Sequence, residues 1–133
     1  MRITILALCA ALGCSASSTT NDSLMTTGTW AGPEVSVIVS AQGATMQFVC
    51  AYGSVGHAIV PDPNGNFSLN GTYVYEHPAT ISGQPAPDSH SARYDGQING
   101  TSMTLTVMVP DRSQVFGPFA ATLGRTGPSS RCQ

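Results

Sequence analysis

From Gly28 onward, apolar and polar residues alternate with a period of two. In "EVSVIVS" Val35, Val37 and Val39 share one side, and Glu34, Ser36 and Ser40 share the other. "ATMQFVC" sets Met46, Phe48 and Cys50 together, and "GNFSLNGTYVYEH" does so for Phe67, Leu69, Gly71, Tyr73 and Tyr75. "ARYDGQI" groups Ala92, Tyr94, Gly96 and Ile98; "SMTLTVMV" groups Met103, Leu105, Val107 and Val109; "GPFAATL" groups Phe119, Ala121 and Leu123. Successive side chains of a strand point to opposite faces, so this period marks strands with one buried side. No window carries a helical stripe.

The breaks between these runs hold turn residues. Ala41-Gln42-Gly43 and Asp62-Pro63-Asn64-Gly65 are turn clusters, and Asn99-Gly100 predicts a type I′ hairpin with positive φ at both residues. The one long break is "HPATISGQPAPDSH", His77 to His90, whose three prolines do not continue a strand. About eight strands in simple succession predict an all-β fold, an antiparallel up-and-down barrel or curled meander. A two-sheet sandwich is the alternative. In-strand glycines such as Gly71 and Gly96 suit the sharp bends of a small barrel.

The chain ahead of the strands is different. Arg2 precedes an apolar run from Ile3 to Leu12, long enough for a signal-peptide h-region and too short to span a bilayer. Leu12-Gly13-Cys14 then resembles a bacterial lipobox, although Ala11 stands where that pattern has leucine. The resemblance implies a signal peptide over 1–13, a lipid on Cys14, and a Ser/Thr-rich tether over 14–27 leading to one domain over 28–133. The implied location is the cell envelope, with the membrane reached through the lipid. A plain secretory signal cleaved near Ser15 to Ser18, with Cys14 discarded and a soluble secreted protein left, is the alternative.

Export changes the cysteine arithmetic. Of the four cysteines, Cys9 leaves with the signal and Cys14 takes the lipid, so Cys50 and Cys132 are expected to pair in an oxidising compartment. Two free buried thiols are the other possibility. Charge changes the picture less: 9% of residues are charged, none is lysine, and the formal net charge is −2, so the chain lacks the basic patch nucleic-acid binding requires.

The candidate chemistry is sparse. His57, Glu76, His77, Asp88 and His90 form the one conceivable metal set. Glu76 and His77 are adjacent on a strand and point to opposite faces, so no metal and no cofactor is expected. His77, Asp88, His90 and Arg93 flank the proline loop and form a candidate binding loop. "GSVGH" is not the G-x-S-x-G elbow of a hydrolase, and no catalytic residues are assigned.

Three resemblances bear on the domain. "GTW", Gly28 to Trp30, is similar to the G-x-W that opens the first strand of lipocalins and their small-barrel relatives. It implies that Arg125, just past "AATL", packs over the Trp30 indole. The run from "GTW" through "MQFVCAYG", "GNFSLNGTYVYEH", "HSARYDGQINGTSMTLTV" and "GPF" resembles a group of small exported bacterial proteins with no assigned activity. "HSARY", His90 to Tyr94, is similar to the "SGARY" motif of periplasmic lipoprotein inhibitors of C-type lysozyme, without the glycine before Ala92. The expected function is a non-catalytic envelope module that is structural or binds a partner on the barrel rim, since the inward aromatics are bulky enough to fill a small barrel. An inhibitor of a lysozyme-type enzyme and a secreted hydrolase working near the 77–90 loop are the alternatives.

Overall fold

The computed structural model describes residues 26–78, 81–83 and 85–127. Eight strands follow one another: β1 (Gly28–Ala31), β2 (Val35–Val39), β3 (Ala44–Phe48), β4 (Ala51–Val55), β5 (Asn66–Tyr75), β6 (Asp88–Asn99), β7 (Ser102–Val109) and β8 (Gln114–Leu123). A single 3-10 turn, Pro110–Arg112, links β7 to β8. Each strand pairs antiparallel with the next, and β8 returns to β1, so the sheet closes into an up-and-down barrel rather than a sandwich.

The period of two decides which side chains fill it. Val35, Val37, Val39, Met46, Phe48, Phe67, Tyr73, Ala92, Tyr94, Met103, Leu105, Val107, Val109 and Ala121 are all buried in one cluster. Each large apolar side chain removed from water contributes about 1.5–3 kcal/mol. Two glycines make room where the rings are largest. A Cβ on Gly96 would lie 2.3 Å from the Phe67 ring, and one on Gly53 would lie 2.0 Å from the Tyr94 hydroxyl oxygen. That hydroxyl donates to the Thr72 carbonyl oxygen at 2.5 Å, so its polar atom is satisfied inside the barrel.

Three details differ from the sequence pattern. Strand β4 has a weak signature, because its inward residues are the small Ala51, Gly53 and Val55. Cys50 does not share the inner face with Phe48; Phe48 pairs with Ala51, leaving Val49-Cys50 as a two-residue turn with Cys50 at φ 60°. The Asn99-Gly100 hairpin is shifted by one residue. Asn99 is the last residue of β6 and pairs with Ser102, so Gly100-Thr101 is the loop, and of these two Gly100 has the positive φ. Glycine first and an ordinary residue second is the chemistry of a II′ turn rather than I′. The Asp62 turn forms as expected: Gly65 N–H donates to the Asp62 carbonyl, and Asp62 Oδ1 accepts from the Asn64 and Asn66 amides at 2.9 Å.

The seam between β1 and β8 is short, with Trp30 opposite Leu123 and Ala31 opposite Thr122. The chain then reverses: Gly124 N–H donates to Thr29 O, and Gly127 lies against the outside of β1 and β2. A Cβ on Gly127 would meet Ser36 Cβ at 2.8 Å and Ala31 Cβ at 3.1 Å. Ala31 follows the inward Trp30 and faces outward, yet it is fully buried.

Candidate functional site: a charged cap at the barrel mouth

One end of the barrel carries the connections 32–34, 49–50, 76–87 and 110–113; the other carries 40–43, 56–65 and 100–101. His77, Asp88 and His90 gather at the first end, the mouth of the barrel. Asp88 and His90 share the inward parity of Ala92 and Tyr94, and they pair across β5 with Tyr75 and Tyr73. Charged groups thus continue the row that is apolar deeper in the barrel.

Asp88 is the hub. Its Oδ2 accepts from His77 Nε2 at 2.8 Å, its Oδ1 accepts from His90 Nε2 at 2.6 Å, and Arg112 Nη2 reaches both oxygens at 3.2 and 3.3 Å. His90 Nδ1 contacts Asp111 Oδ2 at 2.6 Å. His90 therefore bridges two carboxylates from different elements, one on β6 and one on the 3-10 turn. Its side chain is 14% exposed.

Aromatic rings lie directly beneath. The Tyr75 ring stands edge-on to the His90 ring with centroids 5.4 Å apart, and the Arg112 guanidinium carbon sits 5.3 Å from the Tyr75 centroid. The Tyr75 hydroxyl donates to Gln114 Oε1. Below it Tyr73 stacks on Phe116, and Phe48 bridges Tyr73 and Phe119 with centroid distances of 5.4 and 5.2 Å.

The charges follow from these contacts. The hydrogen bond from His77, then that from His90, hold the Asp88 carboxyl down at about 2, against 3.8 for a free side chain; Arg112 adds to them. The hydrogen bond to Asp111, then that to Asp88, raise the His90 imidazole above its ordinary value. Burial raises the Tyr75 phenol, with Arg112 opposing, and burial pushes Tyr73 up to about 12.

Of the four candidate loop residues, His77, Asp88 and His90 meet and Arg93 does not. Arg93 is on the outer face of β6, where its Nε donates to Ser68 Oγ at 2.9 Å and Asp95 Oδ1 at 3.0 Å. Sequence reasoning missed Tyr75, Asp111, Arg112 and Gln114 as members of the cluster. The signal for His77, Asp88 and His90 was their place at the two ends of the proline loop; nothing local in "VPDRSQ" tells that Asp111 and Arg112 fold over the mouth.

The expected stack of Arg125 on Trp30 is not found. Arg125 is exposed just past β8, while Trp30 is wholly buried with its Nε1 donating to the Thr26 carbonyl oxygen at 2.9 Å. The cation–π contact among the described residues is Arg112 on Tyr75. The barrel closes through strand pairing at the seam, so the indole is satisfied by the chain just ahead of β1 and has no need of a guanidinium.

The remaining candidates lie apart. His57 is exposed at the opposite end, and Glu76 points away from His77 to accept from Gln47 Nε2 at 3.3 Å. Among the described residues no group of three or more His, Cys, Asp and Glu is arranged to hold a metal ion. An open groove of about 760 Å³ at the opposite end runs between Thr26, Asp62, Ile98 and Leu123, but its one carboxylate is spent on the Asp62 turn. Cys14 and Cys132 lie outside the described residues. No protein-family model, characterised protein or solved structure matches this chain.

Proposed function

We propose that this is a non-catalytic barrel that recognises a partner protein at its mouth, held at the cell envelope by a lipid on Cys14. The observation that supports it most is the engagement of His90 on both ring nitrogens, by Asp111 and by Asp88. A general base needs a free imidazole lone pair aimed at a proton to be taken, and this ring offers none. The aromatic column under the cap speaks for a filled interior, which leaves the rim as the binding surface. Val49, in the β3–β4 turn, and Ile81, in the β5–β6 connection, expose apolar surface on connections at the same end of the barrel.

The lysozyme-inhibitor reading draws less support from the fold. Of "HSARY", Ala92 and Tyr94 are core residues and Arg93 is tied to its own strand neighbours, so much of the motif maintains the barrel. The test is capture from native envelope by the tagged barrel, with C-type lysozyme offered separately. Capture that is lost in Arg112→Ala and kept in Arg125→Ala supports recognition at the mouth. Hydrolysis of ester or glycoside substrates that disappears in His90→Gln would overturn the non-catalytic reading. Mass spectrometry of the mature protein addresses the anchor: a diacylglyceryl-modified Cys14 at the N-terminus supports it, and an unmodified N-terminus after Cys14 refutes it.

A further inference from the structure

The mouth carries a feature that recognition alone does not need. His90 lies between two carboxylates on two different elements, and both ring nitrogens are within 2.6 Å of a carboxylate oxygen. Ionised carboxylates only accept hydrogen bonds. Both contacts are therefore favourable only when both nitrogens carry a proton. Remove one proton, and a ring lone pair faces a carboxylate lone pair at one of the two sites.

The element at stake is small. The 3-10 turn Pro110–Arg112 has one internal tie, Ser113 N–H to Pro110 O at 3.0 Å, and none of its residues is buried. Asp111 grips His90, and Arg112 grips Asp88 and lies on Tyr75. Tyr75 in turn packs edge-on against Phe116, at the top of the aromatic column. The turn thus lies across the mouth and is fastened to β6 through side chains.

We propose that His90 is a proton-operated latch: doubly protonated, it pins the 110–113 connection over the barrel mouth, and deprotonation releases that connection and uncovers the Tyr75 ring. The titratable and charged groups around the imidazole are Asp88 on its own strand, Tyr73 and Tyr75 on β5, His77 just beyond β5, and Asp111 and Arg112 on the turn. The two carboxylates favour the imidazolium, and Arg112 disfavours it while neutralising Asp88. The raised His90 value agrees with the carboxylates prevailing. A group raised in the closed form lends its stabilisation below the unfolded value, and that stabilisation is lost as pH rises through the folded value. With its carboxylates ionised, the latch is therefore closed below the folded His90 midpoint and opens as pH rises through it.

The test uses the isolated protein and no partner, so it stands or falls separately from the recognition reading. Nitrogen-15 NMR of the imidazole reports the protonation of each ring nitrogen, and amide exchange at Ser113, corrected for its intrinsic pH dependence, reports the turn. Both ring nitrogens should be protonated below a midpoint that lies above that of the protein unfolded in urea. Ser113 protection should fall across that same midpoint, by about tenfold for each pH unit separating folded and unfolded midpoints. Asp111→Asn, an exposed change that leaves the barrel core intact, should lower the midpoint and abolish the pH dependence at Ser113. His90→Gln should give weak, pH-independent protection there. A folded midpoint at or below that of the unfolded protein, or Ser113 protection that is the same on both sides of the midpoint, would overturn the latch.

Discussion

The guanidinium of Arg112 lies over the ring of Tyr75, 5.3 Å from carbon to centroid, while its Nη2 reaches Asp88 Oδ2 at 3.2 Å. Arg112 belongs to a turn that, by its residue types, reads as solvated. It is instead the arginine that holds the mouth together, while Arg125 is exposed. Its side chain is 49% exposed, so the ion pair is discounted for solvent and the stacking is worth the exposed-site value. Arg112→Ala is expected to lower stability by about 0.5–1.5 kcal/mol in urea denaturation, and Arg125→Ala by less than about 0.5 kcal/mol. Equal effects would remove Arg112 from the mouth.

Gly53 and Tyr94 should be energetically coupled. Gly53→Ala places a methyl 2.0 Å from the Tyr94 hydroxyl oxygen and 2.6 Å from the Thr72 carbonyl oxygen. Overpacking of this kind costs about 1–3 kcal/mol. Tyr94→Phe alone loses the bond to Thr72 O, about 1 kcal/mol. Together the two should cost less than their sum, because removing the hydroxyl relieves the closest clash. A double-mutant cycle showing strict additivity would contradict this packing.

Asp88 makes stability fall in acid. Its carboxyl is held down at about 2, so the stabilisation is complete above the ordinary carboxylate value and disappears as pH drops from about 4 to about 2. Urea midpoints measured across that window should decline in the wild type. Asp88→Asn should flatten the decline, and Asp62→Asn, at the far end of the barrel, should leave it in place. An unchanged slope in Asp88→Asn would show that another carboxylate is responsible.

Thiol counting on denatured, unreduced protein should find Cys50 and Cys132 unreactive. Gly127 already lies beside Val35 and Ser36, and Val35 pairs with Phe48, two residues from Cys50. A bond closing a loop of about 80 residues contributes on the order of 4 kcal/mol in the chain-entropy model. Two reactive thiols would refute the pairing.

Strand identity and facing were legible in the sequence because they depend on neighbours one and two residues away. Val35, Val37 and Val39, or Met103 through Val109, reveal their buried face by period alone, and hairpin succession then leaves few topologies. β4 was nearly silent, since Ala51 and Gly53 carry little hydrophobic signal; their smallness is set by Tyr94, 41 positions from Gly53 along the chain, whose phenol occupies that space. The hairpin at Asn99 slipped by one residue because register is settled across the whole β6–β7 ladder, not by the turn dipeptide. His77, Asp88 and His90 were readable as neighbours of one loop. Asp111 and Arg112 were not, because barrel closure carries the β7–β8 connection over β6, and the attraction between these charges acts through space with no trace in local sequence. Residue types determined the strands and their inner faces; the closed sheet alone decided which polar groups meet, since only closure sets distances between residues remote in the chain.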